Sequence, residues 1–179
     1  MSQIVVSENS FNDADLTTVI YSCASFLRLV LEEGGDEDDL HPDALRSFAV
    51  SYFLDEVNNG GFSQFVYNTG RHVDLLADIA AGLAAMGAED HLAWFNARRE
   101  FVDSPQISQG LSGFFASEYF GENPFRDSLN DDSFFDIEAD LVAINAAWLR
   151  SHPDLVVVSI PEMFTRAEAI VGHPIEQST

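Results

Sequence analysis

Residues 54–68 read LDEVNNGGFSQFVYN, and this stretch decides the fold. A helical pattern of apolar residues leads into it, stops at Asn58-Asn59-Gly60-Gly61 and restarts immediately afterwards. Two Asn followed by two Gly can adopt positive φ angles at little steric cost. The sequence therefore predicts a sharp corner between two helices, with positive φ at Gly60 or Gly61.

The side chains after the corner alternate between two roles. Phe62, Phe65 and Val66 are spaced for one face of a helix, so we expect them in the core. The polar side chains among them can satisfy backbone groups that the helix ends leave open. These polar residues are Ser63, Gln64 and Asn68, and we expect Gln64 or Asn68 to bond to backbone across the corner. A structural corner is the first interpretation, and a ligand or active-site loop is the second.

Charge is the outlying property of the composition. The 179 residues include 30 acids and 8 bases, which gives a formal net charge of −22, and all the bases are Arg. Such a surface repels nucleic acid and anionic membranes, whereas it attracts a basic protein. A surface adapted for solubility or for high salt explains the same composition.

The remaining composition indicates one folded domain. A hydrophobic content of 46% with 15 Phe supplies a core, and a chain of this length buries most of its unfolded surface. Cys23 lies on an apolar helical stripe and cannot form an intrachain disulfide, which suits a reducing cytoplasm. The first ten residues lack the features of a signal peptide, so we expect a cytoplasmic protein.

Apolar spacing predicts a single compact all-α domain of about eight helices, with an ordered core over about residues 12–172. The chain before residue 12 looks like a loose lead-in, and residues 121–135 look like a long acidic connection. Residues 155–158 have strand character but no strong partner strand. The predicted helices cover about residues 12–33, 42–56, 61–68, 73–86, 88–101, 107–119, 137–148 and 161–170.

Motifs for catalysis and metal binding are not found in the sequence. The five His residues form no His-Glu-x-x-His motif, and a single Cys excludes a Cys-rich zinc site. His41 and His152 each precede Pro, where an ordinary loop residue is the simple explanation. No nucleophile elbow, phosphate loop or dinucleotide fingerprint occurs. We therefore expect no enzyme, no cofactor and no metal.

The acids are concentrated in two parts of the chain. Two acids at positions i and i+4 of a helix lie one turn apart, about 5–6 Å, which is comparable to the spacing of a phosphate row. Asp132, Asp136 and Asp140 would form such a row if a helix began early enough. The predicted partner-binding acids are Glu32, Glu33, Asp36, Glu37, Asp38 and Asp39 in the first concentration, and Glu118, Glu122, Asp127, Asp131, Asp132, Asp136 and Asp140 in the second.

Residues 56–68 also resemble a known signature, acidic-Val-Asn-Asn-Gly-Gly-Phe-x-Gln-aromatic-x-x-Asn. It is similar to the motif of a bacterial family that includes DNA mimic protein nineteen, and the resemblance is strongest over about residues 48–70. The resemblance implies an all-helical domain. For the mimic member it implies an acidic surface that occupies the DNA-binding face of a regulator. The matching residues Asn58, Asn59, Gly60, Gly61, Phe62 and Gln64 are not themselves a charge cluster.

Resemblance and charge together predict a protein that binds a DNA-binding protein or transcriptional regulator and competes with DNA. Its partner would be basic, with no direct contact to nucleic acid or membrane, and a homodimer stays open. The first alternative is a helical domain of other role with a solubility- or salt-adapted surface. The second is a small-ligand or enzymatic site at the corner.

Overall fold

A computed structural model describes residues 2–176. Within these residues the chain forms ten α-helices, slightly more than the eight predicted, two short 3-10 helices and two strands of four residues. The all-α prediction is confirmed. The elements are β1 (Ile4–Ser7), α1 (Glu8–Phe11), α2 (Thr17–Glu32), a 3-10 helix (Glu37–Asp39), α3 (Pro42–Thr69), α4 (Val73–Ala85), α5 (Glu89–Asp103), α6 (Pro105–Ser108), α7 (Leu111–Phe115), α8 (Pro124–Leu129), a second 3-10 helix (Asp132–Asp136), α9 (Leu141–Arg150), β2 (Leu155–Val158) and α10 (Ile160–Val171).

Contacts between residues divide the chain into two compact units. Unit 1 consists of Met1–Phe48 and Val142–Thr179, and unit 2 consists of Ala49–Leu141. Among the residues that the structure describes, no helix combines the length and apolar character that crossing a membrane requires.

A two-stranded parallel sheet lies in the core of unit 1. Ile4 pairs with Leu155 and Ser7 pairs with Val158, so the start of the chain is joined to a segment near its other end. Ile4 and Val6 are fully buried, and α2 and α10 pack against β1. Two predictions were therefore wrong: that the chain before residue 12 is a loose lead-in, and that the strand at residues 155–158 has no strong partner. A run of four residues next to a terminus is too short to show the partner that buries it.

Helix α2 supplies one wall of the same core. Val19, Ile20 and Val30 are among its buried residues, as the helical spacing predicted. The helix begins at Thr17 and not near residue 12, because the Asp15 carboxylate accepts the Thr17 N–H. Cys23 is 1% exposed, and this burial raises the pKa of its thiol to about 12.

Unit 2 has an aromatic core. Phe53 lies against Phe65, Phe95 and Phe134, with ring centroids 5.0–5.8 Å apart and the rings edge to face. Each such contact adds to the free energy of burial. The single helix predicted over residues 107–119 is replaced by α6 and α7, which is consistent with the weak helix propensity of Gly110 and Gly113.

The strand pairing yields a test of unit 1. Ile4→Ala should lower the free energy of unfolding by about 2–5 kcal/mol, because it leaves a cavity in a buried site. Gln3→Ala, at the exposed neighbouring position, removes only an exposed hydrogen bond from Arg166 and should change it by about 1 kcal/mol or less. Urea unfolding followed by circular dichroism measures both. Equal, small effects of the two substitutions would show that the first residues are a lead-in after all.

Candidate functional site

The corner in helix α3 is made by two consecutive non-helical residues. Gly60 has φ −153° and ψ 19°, and Gly61 has φ 77° and ψ −177°. The backbone of Gly61 lies in a region that is essentially restricted to glycine. The predicted corner and its positive φ are therefore confirmed at Gly61. Phe62, Phe65 and Val66 are buried just beyond it, also as predicted.

Two side chains from later in the chain hold the backbone at this corner. The Asn130 Oδ1 atom accepts the Ser63 N–H at 2.9 Å, which satisfies a donor at the start of the restarted helix. The Tyr119 hydroxyl donates to the Gly60 carbonyl at 3.0 Å and lies 3.1 Å from the Ser63 hydroxyl. A methyl group added at Gly61 would overlap the Asn130 side-chain amide. The absence of a side chain at Gly61 is thus required for this close approach.

Among residues 2–176, the Gln64 and Asn68 side-chain amides bond to a carboxylate and not to backbone, so that prediction was wrong. Gln64 Nε2 and Asn68 Nδ2 both donate to Glu56 Oε2, at 3.0 and 2.7 Å. A carboxylate is a stronger acceptor for these amides than a neutral carbonyl, which explains the preference. Glu56 precedes the corner, so the two bonds still join the two halves of α3. Asn58 and Asn59 are exposed.

The corner anchors an acidic segment, which we define as residues 117–140. It contains eight acids and one Arg, and both Tyr119 and Asn130 belong to it. Its first residue is also fixed, because the Tyr67 hydroxyl donates to the Ser117 carbonyl at 2.8 Å. The Arg126 guanidinium donates to the Tyr119 and Gly121 carbonyls at 2.8 and 2.9 Å, which closes the turn between them. A segment with little regular structure is thus held by side-chain bonds to backbone.

Arg98 holds the second half of the acidic segment. It donates to the Leu129 carbonyl at 2.7 Å and pairs with Asp131 at 3.3 Å. Its guanidinium also lies 4.3 Å from the centre of the Phe101 ring. Hydrogen bonds from the Ser133 hydroxyl and N–H hold the pKa of Asp131 below its usual range. Asp131 therefore stays ionised and holds Arg98 and the following 3-10 helix together.

Most of the predicted partner-binding acids are exposed, but Asp132, Asp136 and Asp140 do not form the predicted helical row. Asp132 and Asp136 lie at the two ends of a 3-10 helix, which ends in extended backbone at Ile137. Asp140 precedes α9, so the three acids do not share an α-helix. The Asp131 side chain accepts the Ser133 N–H and starts the tighter helix, which explains the difference. The exposed predicted acids of this segment are Glu118, Glu122, Asp127, Asp132, Asp136 and Asp140, while Asp131 is partly buried.

The first acidic concentration, residues 32–39, belongs to unit 1 and the acidic segment belongs to unit 2. Asp36 and Asp39 form a capping box around the short 3-10 helix, each side chain accepting a backbone N–H of the other end. This local structure was not predicted from the run of acids. Its exposed predicted acids are Glu32, Asp36, Glu37, Asp38 and Asp39, while Glu33 is partly buried.

Several residues that shape the site were missed by the sequence reasoning. Tyr119, Asn130 and Arg98 hold the acidic segment, yet no local pattern distinguishes them from other surface residues. Asn130 lies 67 positions from Ser63, so only the folded chain reveals the contact. Glu138 is a further exposed acid of the segment. Its omission was avoidable, since it lies between two acids that were included.

Comparison with known proteins identifies one related family. Its description is DMP19-like protein, and its sequence model matches residues 38–152. The match covers the corner and the whole acidic segment, whereas residues 32–37 lie outside it. No curated protein and no solved structure matches the chain.

The glycine corner can be tested with a matched pair. Gly61→Ala should cost about 3 kcal/mol of unfolding free energy, because it forces a forbidden backbone region and overlaps Asn130. Gly70→Ala should cost only about 1 kcal/mol. Gly70 also has a positive φ, of 55°, but apart from its chain neighbours no atom of residues 2–176 lies within 4 Å of the added methyl group. Urea titration of both variants measures the difference.

A double-mutant cycle separates backbone strain from the overlap with Asn130. In the Asn130→Ala background, Gly61→Ala should cost less than in the original chain, since the amide that the methyl meets is gone. Strictly additive effects would contradict a direct contact between these two residues.

Proposed function

The chain belongs to the DMP19-like protein family, and from this premise we propose that it binds a DNA-binding protein, such as a transcriptional regulator, in place of DNA. The partner would present Arg and Lys side chains that otherwise hold phosphates. The carboxylates of this chain would accept charge-assisted hydrogen bonds from them. The proposal requires no cofactor and no catalytic step.

The observation that carries the proposal is the anchored acidic segment. Five of its acids are exposed and have no ion pair with any residue from 2 to 176: Glu118, Glu122, Asp132, Asp136 and Glu138. Its one Arg, Arg126, is already paired with Asp127 and bonded to two backbone carbonyls. The segment therefore offers negative charge that the described protein leaves uncompensated.

Anchoring matters because binding costs less when the binding groups are already ordered. Tyr119 and Asn130 fix the acidic segment to the corner, and Arg98 fixes its second half. A flexible acidic tail would have to lose conformational entropy on binding, and this segment has lost part of it on folding. The family model matches both the corner and the acidic segment, which supports a joint role for these two features.

The mimic mechanism predicts a complex that salt weakens and DNA displaces. Raising the salt concentration from about 0.05 to 0.5 M shortens the Debye length to about a third, so the affinity should fall steeply. Duplex DNA should release the partner in the same titration, measured by fluorescence anisotropy of labelled DNA. A partner that binds DNA and this chain simultaneously would rule out mimicry. A salt-adapted surface instead predicts stability that rises with salt and no partner that DNA displaces.

Charge removal within the acidic segment locates the contact. The double variant Asp132→Asn, Asp136→Asn should weaken the complex about tenfold, because each exposed charge pair contributes up to about 1 kcal/mol. Its circular dichroism spectrum should not change. The matched control is Asp74→Asn, Glu100→Gln, which removes the same charge at two exposed positions outside the segment. Equal weakening by both variants would show a general effect of net charge and not a contact at this segment.

A further inference from the structure

Two copies of one tripeptide meet in unit 1. His41-Pro42-Asp43 precedes and begins α3, and His152-Pro153-Asp154 connects α9 to β2. The His41 and His152 rings lie edge to face with their centroids 5.2 Å apart. The repeat of His-Pro-Asp is visible in the sequence, but the contact between the copies is not.

The two copies make equivalent contacts. Within each, the histidine Nδ1 accepts the N–H of the following Asp, at 3.1 Å for His41 and 3.2 Å for His152. Between them, His152 Nε2 lies 3.0 Å from Asp43 Oδ2, and His41 Nε2 lies 3.4 Å from Asp154 Oδ2. Since Nδ1 accepts in each ring, the neutral rings carry their protons on Nε2, facing the carboxylate of the other copy.

Pro42 and a turn after His152 position the two copies. Pro42 occupies the first position of α3, where a missing N–H costs nothing and the fixed φ suits the helix. The Asp43 N–H is then one of the unpaired donors of the first turn, and His41 satisfies it. In the other copy a turn joins the Leu155 N–H to the His152 carbonyl, and this turn leads into β2.

We propose that His41, His152 and Asp154 bind a divalent transition-metal ion of the zinc type. One donor atom from each residue lies within 4.8 Å of the other two. Ligand atoms at about 2.0–2.1 Å from a tetrahedral Zn²⁺ ion are about 3.3–3.5 Å apart. The 3.4 Å between His41 Nε2 and Asp154 Oδ2 equals this spacing, and the other separations, which are at most 4.8 Å, would shorten on binding. Two imidazoles and one carboxylate leave a fourth position for water.

Asp43 orients one ligand of the proposed site, His152. It accepts from His152 Nε2, as in the carboxylate–histidine–metal arrangement that orients a ligand, and the ion would replace the Asp154 N–H at His152 Nδ1. Arg46 holds the same carboxylate at 2.7 Å. Arg46 Nη1 and His152 Nε2 thus contact the two oxygens of one carboxylate. Asp43 therefore keeps His152 oriented.

Access and proton balance are both consistent with binding. The His41 and His152 side chains are 11% and 10% exposed, whereas Asp154 is 50% exposed and forms the open side. On binding, His152 retains its Nε2 proton, and His41 transfers its proton from Nε2 to Nδ1. The Asp43 and Asp154 N–H groups then lose their ring acceptors. The amide resonances of these two residues should consequently shift in an NMR titration.

The test uses the full chain, stripped of metal with a chelator and titrated with Co²⁺ in excess Mg²⁺. The Mg²⁺ occupies exposed carboxylates, and tetrahedral Co²⁺ shows visible absorption that carboxylate-bound ions lack. We expect one Co²⁺ per chain with micromolar or tighter affinity, displacement by Zn²⁺, and a higher melting temperature with metal.

Two variants decide the assignment. Asp154→Asn should abolish the tetrahedral absorption while retaining the fold, because its side chain is half exposed. His173→Asn is the matched control, since His173 also precedes Pro but is exposed and outside the cluster. It should leave binding unchanged. No absorption in the original chain, or full absorption in Asp154→Asn, would overturn the proposal. Neither result bears on DNA mimicry, because the metal titration contains no partner protein.

Discussion

The hydrogen bond from the Ser63 N–H to the Asn130 side chain joins the glycine corner of unit 2 to its acidic segment. Residues 117–140 contain short helices and turns, so regular backbone pairing cannot position them. Their position comes from bonds to a corner that exists because Gly61 adopts a conformation restricted to glycine. Without the close approach at Gly61, the Ser63 donor would need another partner, and the acidic segment would lose one of its attachments.

Local patterns were sufficient for most of the longer helices and for the corner. The Asn-Asn-Gly-Gly run interrupts a helical repeat, and the apolar spacing of Phe62, Phe65 and Val66 places their side chains in the core. Several failures depended on partners far along the chain. Strand β1 needs β2, roughly 150 residues away, and the amide of Asn130 has no sequence feature that points to Ser63. Periodicity reports which face is buried, not what covers it.

The candidate sites also combine features that the sequence predicts with features that depend on contacts in the folded chain. Composition established that acids dominate the surface, and most of the predicted acids are exposed. It could not show that Asp131 is used internally to hold Arg98, or that Asp132 and Asp136 flank a 3-10 helix. The twin His-Pro-Asp tripeptides were visible from the start, yet their meaning depends on a contact between residues 109 and 113 positions apart.

The buried thiol of Cys23 makes this chain convenient for site-specific labelling. Thiol reagents attack the thiolate, and a group that is 1% exposed with its pKa raised to about 12 supplies almost none at neutral pH. A single cysteine introduced on the surface would therefore react alone, with the native residue left in place. Fluorescent or spin labels could then be attached one at a time along the acidic segment, with the packing of α2 undisturbed.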